Sequence, residues 1–187
     1  PRFHPTRVGQ RPVGNFFDFG GPHAAEVKPN KLIDTKISTP LFHLPLGTIP
    51  GSEKGVVALP QRNLLRHVTW QLPSGQSIAR HMEVPALARA DLSELSGFGH
   101  ELDQSTPLWY YILKESQLVE GGLRLGPVGG RIVGEVILGL LQLDRDSFLW
   151  AHRWRPTLPT RSGQVTGDFR MVDFLTFAGV DPTNRGQ

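Results

Sequence analysis

The sequence predicts a mostly α-helical protein in which an irregular arm rich in Pro and Gly precedes a helical core. Of the 187 residues, 21 are Gly and 16 are Pro, and half of the prolines fall within residues 1–58. Beyond residue 58, apolar side chains recur at the three- and four-residue spacing of helices, and no useful stretch alternates as a strand does. We therefore divide the chain into an extended wrapping arm, 1–58, and a single helical segment, 59–187.

Composition limits the classes of function that the chain can have. The hydrophobic share of 39% and charged share of 20% are typical of a globular protein. The net charge of +3 comes from singly scattered Lys and Arg, so nothing predicts nucleic-acid binding. Without Cys there is no thiolate metal site or disulfide. The longest apolar run, 128–143, is interrupted by charges and shorter than the ~20 residues of a membrane-spanning helix, so we expect no membrane span.

In the arm, the density of Pro and Gly opposes helices and favours extended backbone that follows another surface. Two apolar stretches interrupt it, Asn15–Phe19 and Leu41–Leu44. Apolar groups of this size are normally buried, so we expect both stretches to anchor the arm, either within this chain or against a partner.

Helical periodicity begins at Leu59, where Pro60 suits a first helical turn. This helix is expected to end near Trp70, and Ser74 is the predicted N-cap of a second helix that ends at Glu83. The apolar side chains of the first helix are expected to face a core: Leu59, Leu64, Leu65 and Val68.

A polar loop is predicted over 93–104, followed by a helix that Thr106 caps and that ends before Gly121. The next predicted helix spans 127–143. Glycines are unfavourable inside a helix, so those in this stretch indicate close packing against neighbouring backbone: Gly126, Gly129, Gly130, Gly134 and Gly139.

Two short helices are predicted near the C-terminus. Asp144 or Asp146 would cap the first, which ends at Trp150. Asp168 would begin the second, which spans 169–178 and is closed by Gly179 in a left-handed conformation.

Most polar motifs have an ordinary structural interpretation. The seven His contain no short ligand pair of the His-Glu-x-x-His kind, so we interpret them as surface or structural residues. The glycine-rich stretch 126–131 lacks the Lys and Ser/Thr of a phosphate-binding loop, and Ser74 has no catalytic partner at a recognisable spacing. Residues 109–111 are consecutive aromatics that point in different directions, which predicts packing rather than a base-stacking platform.

Asn63 and Arg66 are harder to explain in this way. They lie three residues apart and share one face of a helix. A surface or capping role is the ordinary interpretation, but an Asn that points inward needs a hydrogen-bond partner and is then positioned to orient another polar group.

The stretches 62–66 and 72–76, Arg-Asn-Leu-Leu-Arg and Leu-Pro-Ser-Gly-Gln, resemble the C-terminal part of the animal haem peroxidase superfamily, in its bacterial branch. Further stretches resemble the arm that precedes this motif and the two helices that follow it: Phe16–Phe19, Ile33–Lys36, Thr106–Glu115 and Leu125–Glu135. The order of these motifs matches the family over most of the chain. The resemblance implies part of a larger, haem-peroxidase-like helical fold.

The resemblance also implies a function and site residues. The chain would be the C-terminal segment of a haem peroxidase that oxidises small substrates with hydrogen peroxide. Asn63 would hydrogen-bond the histidine that ligates the haem iron, Arg66 would pair with a haem propionate, and Leu59 would pack near the proximal side of the haem. None of these residues is expected to ligate a metal.

The family's axial His, distal residues and calcium loop have no matching stretch in this sequence. The haem, and any calcium ion, would therefore be held with the N-terminal part of the same protein or with a second chain, and the isolated chain is expected to be inactive. Neither a secreted nor a cytoplasmic location is favoured.

One departure from the family and two alternatives stay open. Residues 68–71 are Val-Thr-Trp-Gln, where vertebrate members carry Arg-Asp-His-Gly, which weakens any inference of a vertebrate-type substrate such as halide. A haem-dependent fatty-acid dioxygenase of the same fold would differ upstream of this chain. A non-catalytic, peroxidase-like scaffold or binding module is the other alternative.

Overall fold

The computed structural model describes residues 13–45, 55–165, 167–180 and 183. Within these ranges the regular structure is helical and contains no β-strand, so the predicted mostly α class is confirmed. The α-helices are α1 (Leu59–Thr69), α2 (Gly75–His81), α3 (Leu108–Val119), α4 (Pro127–Leu143) and α5 (Met171–Phe177). The chain forms two compact units, Leu32–Asp144 and the pair of segments Pro1–Lys31 and Arg145–Gln187.

Short 3-10 helices account for further regular structure: Val13–Asn15, Gly21–Glu26, Thr39–Phe42, Arg89–Phe98 and Phe148–Trp150. The described parts of the arm thus contain 3-10 turns but no α-helix, as their prolines would require. Within Arg89–Phe98 the backbone kinks at Leu92, whose side chain is fully buried. The loop predicted over 93–104 is therefore partly wrong, because burial of Leu92 stabilises helical turns that the polar composition does not predict.

The predicted bounds of α1 and α4 agree with the structure, and so does the predicted cap of α2. The Oγ atom of Ser74 accepts a hydrogen bond from the backbone N–H of Ser77 at 3.3 Å. This bond satisfies a donor that the first turn of every helix leaves unpaired.

The other predicted N-caps are wrong, whereas Gly179 has the left-handed conformation that was predicted for the end of the last helix. The N-cap of α3 is Pro107, because the hydroxyl of Thr106 bonds instead to Leu102 O and to the side chain of Gln76. Ser147, rather than Asp144 or Asp146, precedes the turn Phe148–Trp150. At the start of α5 it is Asp173, rather than Asp168, that accepts the backbone N–H of Arg170 at 2.8 Å.

The core of the unit Leu32–Asp144 lies where α2, α3 and α4 meet. Ala79, Tyr111 and Val128 are fully buried there, one from each helix. The hydroxyl of Tyr111 accepts the backbone N–H of Leu87 at 2.9 Å, which satisfies the polar end of this buried ring. Of the consecutive aromatics 109–111, only Tyr111 is in the core, as their different directions on a helix require.

Glycine allows these helices to approach closely at three positions. A Cβ on Gly75 would overlap the ring of Tyr111, and one on Gly129 would lie 2.5 Å from Cγ2 of Ile112. Gly126 is similarly close to Glu115. The prediction of close packing is therefore confirmed for Gly126 and Gly129. It is wrong for Gly134 and Gly139, where an added Cβ would meet no atom of the described chain within 4 Å.

The apolar face of α1 that the sequence pattern predicted to be buried is largely exposed. Leu64, Leu65 and Val68 are 37%, 47% and 71% exposed. At about 100° per residue, Leu59 lies on the opposite side of α1 from these three residues, so the four cannot face one core. An apolar pattern identifies a face of a helix, but it does not show which part of the protein covers that face.

The part of α4 from Val133 onwards is also uncovered among the described residues. Its exposed apolar side chains are Val133, Val136, Ile137, Leu138, Leu140 and Leu143. At 17 residues α4 is the longest helix, and no helix in the described part of the chain has the length and apolar character needed to cross a membrane.

In the other unit, Asp173 ties the start of α5 to the preceding segment. Its carboxylate accepts the backbone N–H of Arg161 at 2.9 Å as well as that of Arg170. The guanidinium of Arg161 in turn donates to Phe19 O, which fixes the N-terminal segment of this unit. Phe16 nevertheless remains 65% exposed, so this predicted anchor is not buried within the described residues.

Candidate functional site

The three predicted site residues lie together on one face of α1. Asn63 follows Leu59 by four residues and precedes Arg66 by three, which places all three within a narrow sector of the helix. Leu59 and Asn63 are half-buried, and Arg66 is exposed. α1 itself packs against α3 and the turn Thr39–Phe42. The three site residues therefore form a strip along α1 that is partly buried at Leu59 and open to solvent at Arg66.

The side chains of Asn63 and Arg66 are hydrogen-bonded to each other. Nη2 of Arg66 donates to Oδ1 of Asn63. Among the described residues no carboxylate pairs with Arg66, and its other N–H groups can bind an external anion. Oδ1 of Asn63 keeps a second lone pair, so it can accept another hydrogen bond. The strip therefore offers a cation, an amide and an apolar side chain next to one another.

The histidine on α1 has a structural role. Nδ1 of His67 accepts the backbone N–H of Leu108 at 3.3 Å and so connects α1 to the start of α3. Nδ1 must be unprotonated to accept this bond, which places the proton of the neutral ring on Nε2. In the ranges that the structure describes, no three His, Cys, Asp or Glu residues come together as metal ligands.

The motif that follows α1 stabilises the fold. The amide of Gln76 donates to Oγ1 of Thr106 at 2.8 Å and accepts the backbone N–H of Thr106 at 2.9 Å. Nearby, the buried carboxylate of Asp103 pairs with Arg89 at 2.6 Å. The two bonds of Gln76 hold the start of α2 against the segment that leads into α3, which explains why a polar Gln side chain is buried there.

Glu115, a carboxylate that is 1% exposed between α3 and α4, was not identified from the sequence. Its two oxygens accept the backbone N–H groups of Val128 and Gly129 at 3.1–3.2 Å. Burial raises the pKa of Glu115, and the two backbone hydrogen bonds oppose that rise. The available signal was an acidic residue inside a helix whose neighbours three and four residues away are apolar, followed by a glycine-rich helix start.

A second polar cluster lies on the outer side of α3. Glu94 accepts hydrogen bonds from Nζ of Lys114 at 2.7 Å and from the hydroxyl of Tyr110 at 2.8 Å. Burial, and then the bond to the negatively charged Glu94, raise the pKa of Tyr110 to about 12. A phenol with so high a pKa is a poor proton donor at neutral pH, so we interpret the cluster as structural.

We expect the tyrosines of the folded chain to resist ionisation. The chain has two tyrosines, Tyr110 and Tyr111, and burial raises the pKa of both. The unfolded chain loses its phenolic protons near pH 10, whereas the folded chain keeps them, so folding stability should fall as pH rises from about 10 to about 12. Absorbance of the phenolate during an alkaline titration measures this directly.

Glu94→Gln is the matched variant for that titration. It keeps a side chain of the same shape but removes the negative charge, so the pKa of Tyr110 should move back towards its ordinary value. Ionisation of both tyrosines near pH 10 in the folded wild-type chain would contradict the prediction.

Among the described residues of the unit formed by 1–31 and 145–187, we note two cavities. One has a volume of about 320 Å³ and is lined in part by Asp18, Arg161 and Arg170. Both arginines already pair with carboxylates, Arg161 with Asp173 and Arg170 with Asp168. The other, of about 240 Å³, is lined in part by Phe16 and Lys28. Neither is lined by Leu59, Asn63 or Arg66, the predicted site residues.

Comparison of the chain with protein-family models, with curated proteins and with solved structures gave no match in any of the three.

Proposed function

We propose that this chain is the C-terminal segment of a bacterial haem peroxidase that oxidises small substrates with hydrogen peroxide, and that α1 supports the proximal side of the haem. The observation that carries the proposal is the hydrogen-bonded pair Asn63 and Arg66, next to Leu59 on one face of α1. The motifs that resemble the family also support the proposal, because they occur along this chain in the same order as in the family.

The residues present fit the edge of a haem and the outer side of its axial ligand. A haem edge combines an apolar ring with propionate carboxylates. Arg66 has N–H groups available for a propionate, and Leu59 can contact the ring. The second lone pair of Asn63 Oδ1 suits an imidazole N–H donor. The iron ligand itself would come from the partner segment, since His67 already bonds to α3.

Each residue has a distinct role in this proposal. Haem, when bound, supplies the redox chemistry with peroxide. Asn63 would accept a hydrogen bond from the imidazole of a histidine that ligates the haem iron and so fix the orientation of its ring. Arg66 would neutralise a propionate through a charge-assisted bond, and Leu59 would exclude water from the haem.

Uncovered apolar surface supports the need for a partner segment. Leu64, Leu65 and Val68 lie on the face of α1 opposite the strip, and all are exposed. The second half of α4 exposes several more large apolar side chains, among them Val136 and Leu140. Surfaces of this kind commonly bind other protein, and we propose that the segment bearing the haem ligands covers them. Any calcium ion would be bound by that segment.

Asn63→Ala tests the proposal in the complete protein. We expect peroxidase turnover to fall by about 10- to 100-fold, as removal of a group that orients a metal ligand typically does. The haem reduction potential should shift, while thermal stability changes little because Asn63 is only half-buried. Gln61→Ala, an exposed position two residues earlier and on the other side of the same helix, is the matched control and should leave both turnover and potential unchanged.

The alternatives give different results in the same protein. Unchanged spectra and rates in Asn63→Ala would contradict the proximal role. Absence of the Soret absorption band of haem would favour the non-catalytic scaffold. Oxygen uptake with a fatty acid in the absence of peroxide would favour the dioxygenase.

A further inference from the structure

Arg66 donates to Oδ1 of Asn63, the same atom that accepts a hydrogen bond from the axial ligand in the proposed function. Its Nη2 donates to Oδ1 of Asn63, and both side chains are on α1. This contact decides the orientation of the Asn63 amide, because an amide flipped by 180° would direct its own N–H groups at the guanidinium. Oδ1 therefore faces Arg66, and Nδ2 faces away from it.

We propose that Arg66 is a positioning residue that acts through Asn63, in addition to binding an anion. It holds Oδ1 in place and, by its positive charge, makes that oxygen a weaker acceptor for a second donor. This inference rests on the proposed function for the identity of the second donor, the imidazole N–H of the axial ligand. The contact between Arg66 and Asn63 does not depend on it.

Arg66 would therefore alter the strength of the hydrogen bond that the axial ligand donates to Asn63. An imidazole that donates a strong hydrogen bond gains electron density and donates more of it to a metal. A guanidinium that shares the acceptor weakens that bond. Loss of Arg66 should therefore strengthen the bond from the imidazole to Asn63 and lower the reduction potential of the bound haem.

Loss of a nearby positive charge would also lower the potential directly, so a single substitution cannot separate the two effects. A double-mutant cycle can, because it isolates the part of the effect that passes through Asn63. If Arg66 acts through Asn63, most of the shift caused by Arg66→Met should disappear when Asn63 is already Ala. If Arg66 acts only as a charge, the shift should be the same in both backgrounds.

The first test needs no haem. In the 187-residue chain, the side-chain amide resonances of Asn63 can be followed by nitrogen-proton NMR. Arg66→Met should shift them, and Arg66→Lys, which keeps the charge with fewer donors, should give a smaller shift. Arg62→Met removes a charge from the same helix without touching this bond and should leave them in place. Arg66→Gln is a second variant in case the methionine variant fails to fold.

The second test uses the complete, haem-loaded protein and measures the reduction potential of the four members of the cycle. Unchanged Asn63 resonances in both Arg66→Met and Arg66→Gln would overturn the inference whatever the function of the protein. Equal potential shifts in the two backgrounds would also overturn it, while leaving the proposed function intact. If instead Asn63→Ala leaves the potential unchanged and the NMR shift is present, the contact is real but the proposed proximal role fails.

Discussion

Gly75→Ala is expected to lower the free energy of unfolding by about 3 kcal/mol or more, at the upper end of what overpacking of a core costs. The added Cβ would overlap the ring of Tyr111, which is fully buried. Neither partner can move away easily. The N–H of Gly75 donates to Thr106 O at 3.0 Å, and the hydroxyl of Tyr111 is fixed by the N–H of Leu87. Chemical denaturation of the chain, followed by circular dichroism, measures the change.

Gly134→Ala is the matched control for that experiment. Gly134 lies inside α4 with open space around it, so the same substitution introduces no overlap there. Alanine should instead stabilise the helix by about 0.5–1 kcal/mol, because glycine loses more conformational freedom on folding. Similar effects of the two substitutions would show that close packing between α2 and α3 is not what Gly75 provides.

Glu115→Ala is expected to destabilise the chain by about 2–4 kcal/mol. The substitution leaves the buried N–H groups of Val128 and Gly129 without an acceptor and opens a cavity between α3 and α4. Glu115→Gln should cost less, because its carbonyl oxygen can still accept one of these bonds. Measurement of the free energy of unfolding at one fixed pH, for the wild-type chain and for both variants, tests this order.

Dependence of stability on pH provides a separate test of the environment of Glu115. Its pKa is raised in the folded chain, chiefly by burial, so the folded state holds the proton more tightly than the unfolded state. The resulting stabilisation is present below the ordinary pKa of about 4.5 and is lost as pH rises through the higher, folded value. Relative to Glu115→Gln, the wild-type chain should therefore become less stable over that interval. A stability difference that does not vary with pH would contradict the raised pKa.

Helix positions were the most predictable part of the fold because they depend on local sequence. The spacing of apolar residues and the prolines at helix starts predicted α1 and α4 with the bounds that the structure has. Caps were less predictable, because a side chain such as that of Thr106 can bond either to its own helix or to a distant partner. The hydroxyl of Thr106 accepts a hydrogen bond from the side-chain amide of Gln76, which is 30 residues away along the sequence.

For the candidate site, sequence placed Leu59, Asn63 and Arg66 on one helix, and helical geometry alone brings them to one face. The bond between Arg66 and Asn63 could not be inferred, since an exposed Arg has many rotamers with similar energies. Glu115 was missed for a related reason. Whether an acidic residue inside a helix points to solvent or to the start of another helix depends on how the two helices pack.

The sequence by itself determined that this protein is mostly helical, where its principal helices lie, and which three residues share a face of α1. These properties follow from backbone geometry and from spacing along the chain. Tertiary structure alone decided which glycines permit close packing and which are open, because both kinds occur on the same helix α4. It also decided that the apolar face of α1 stays uncovered in the described chain, since burial depends on what other segments reach a surface.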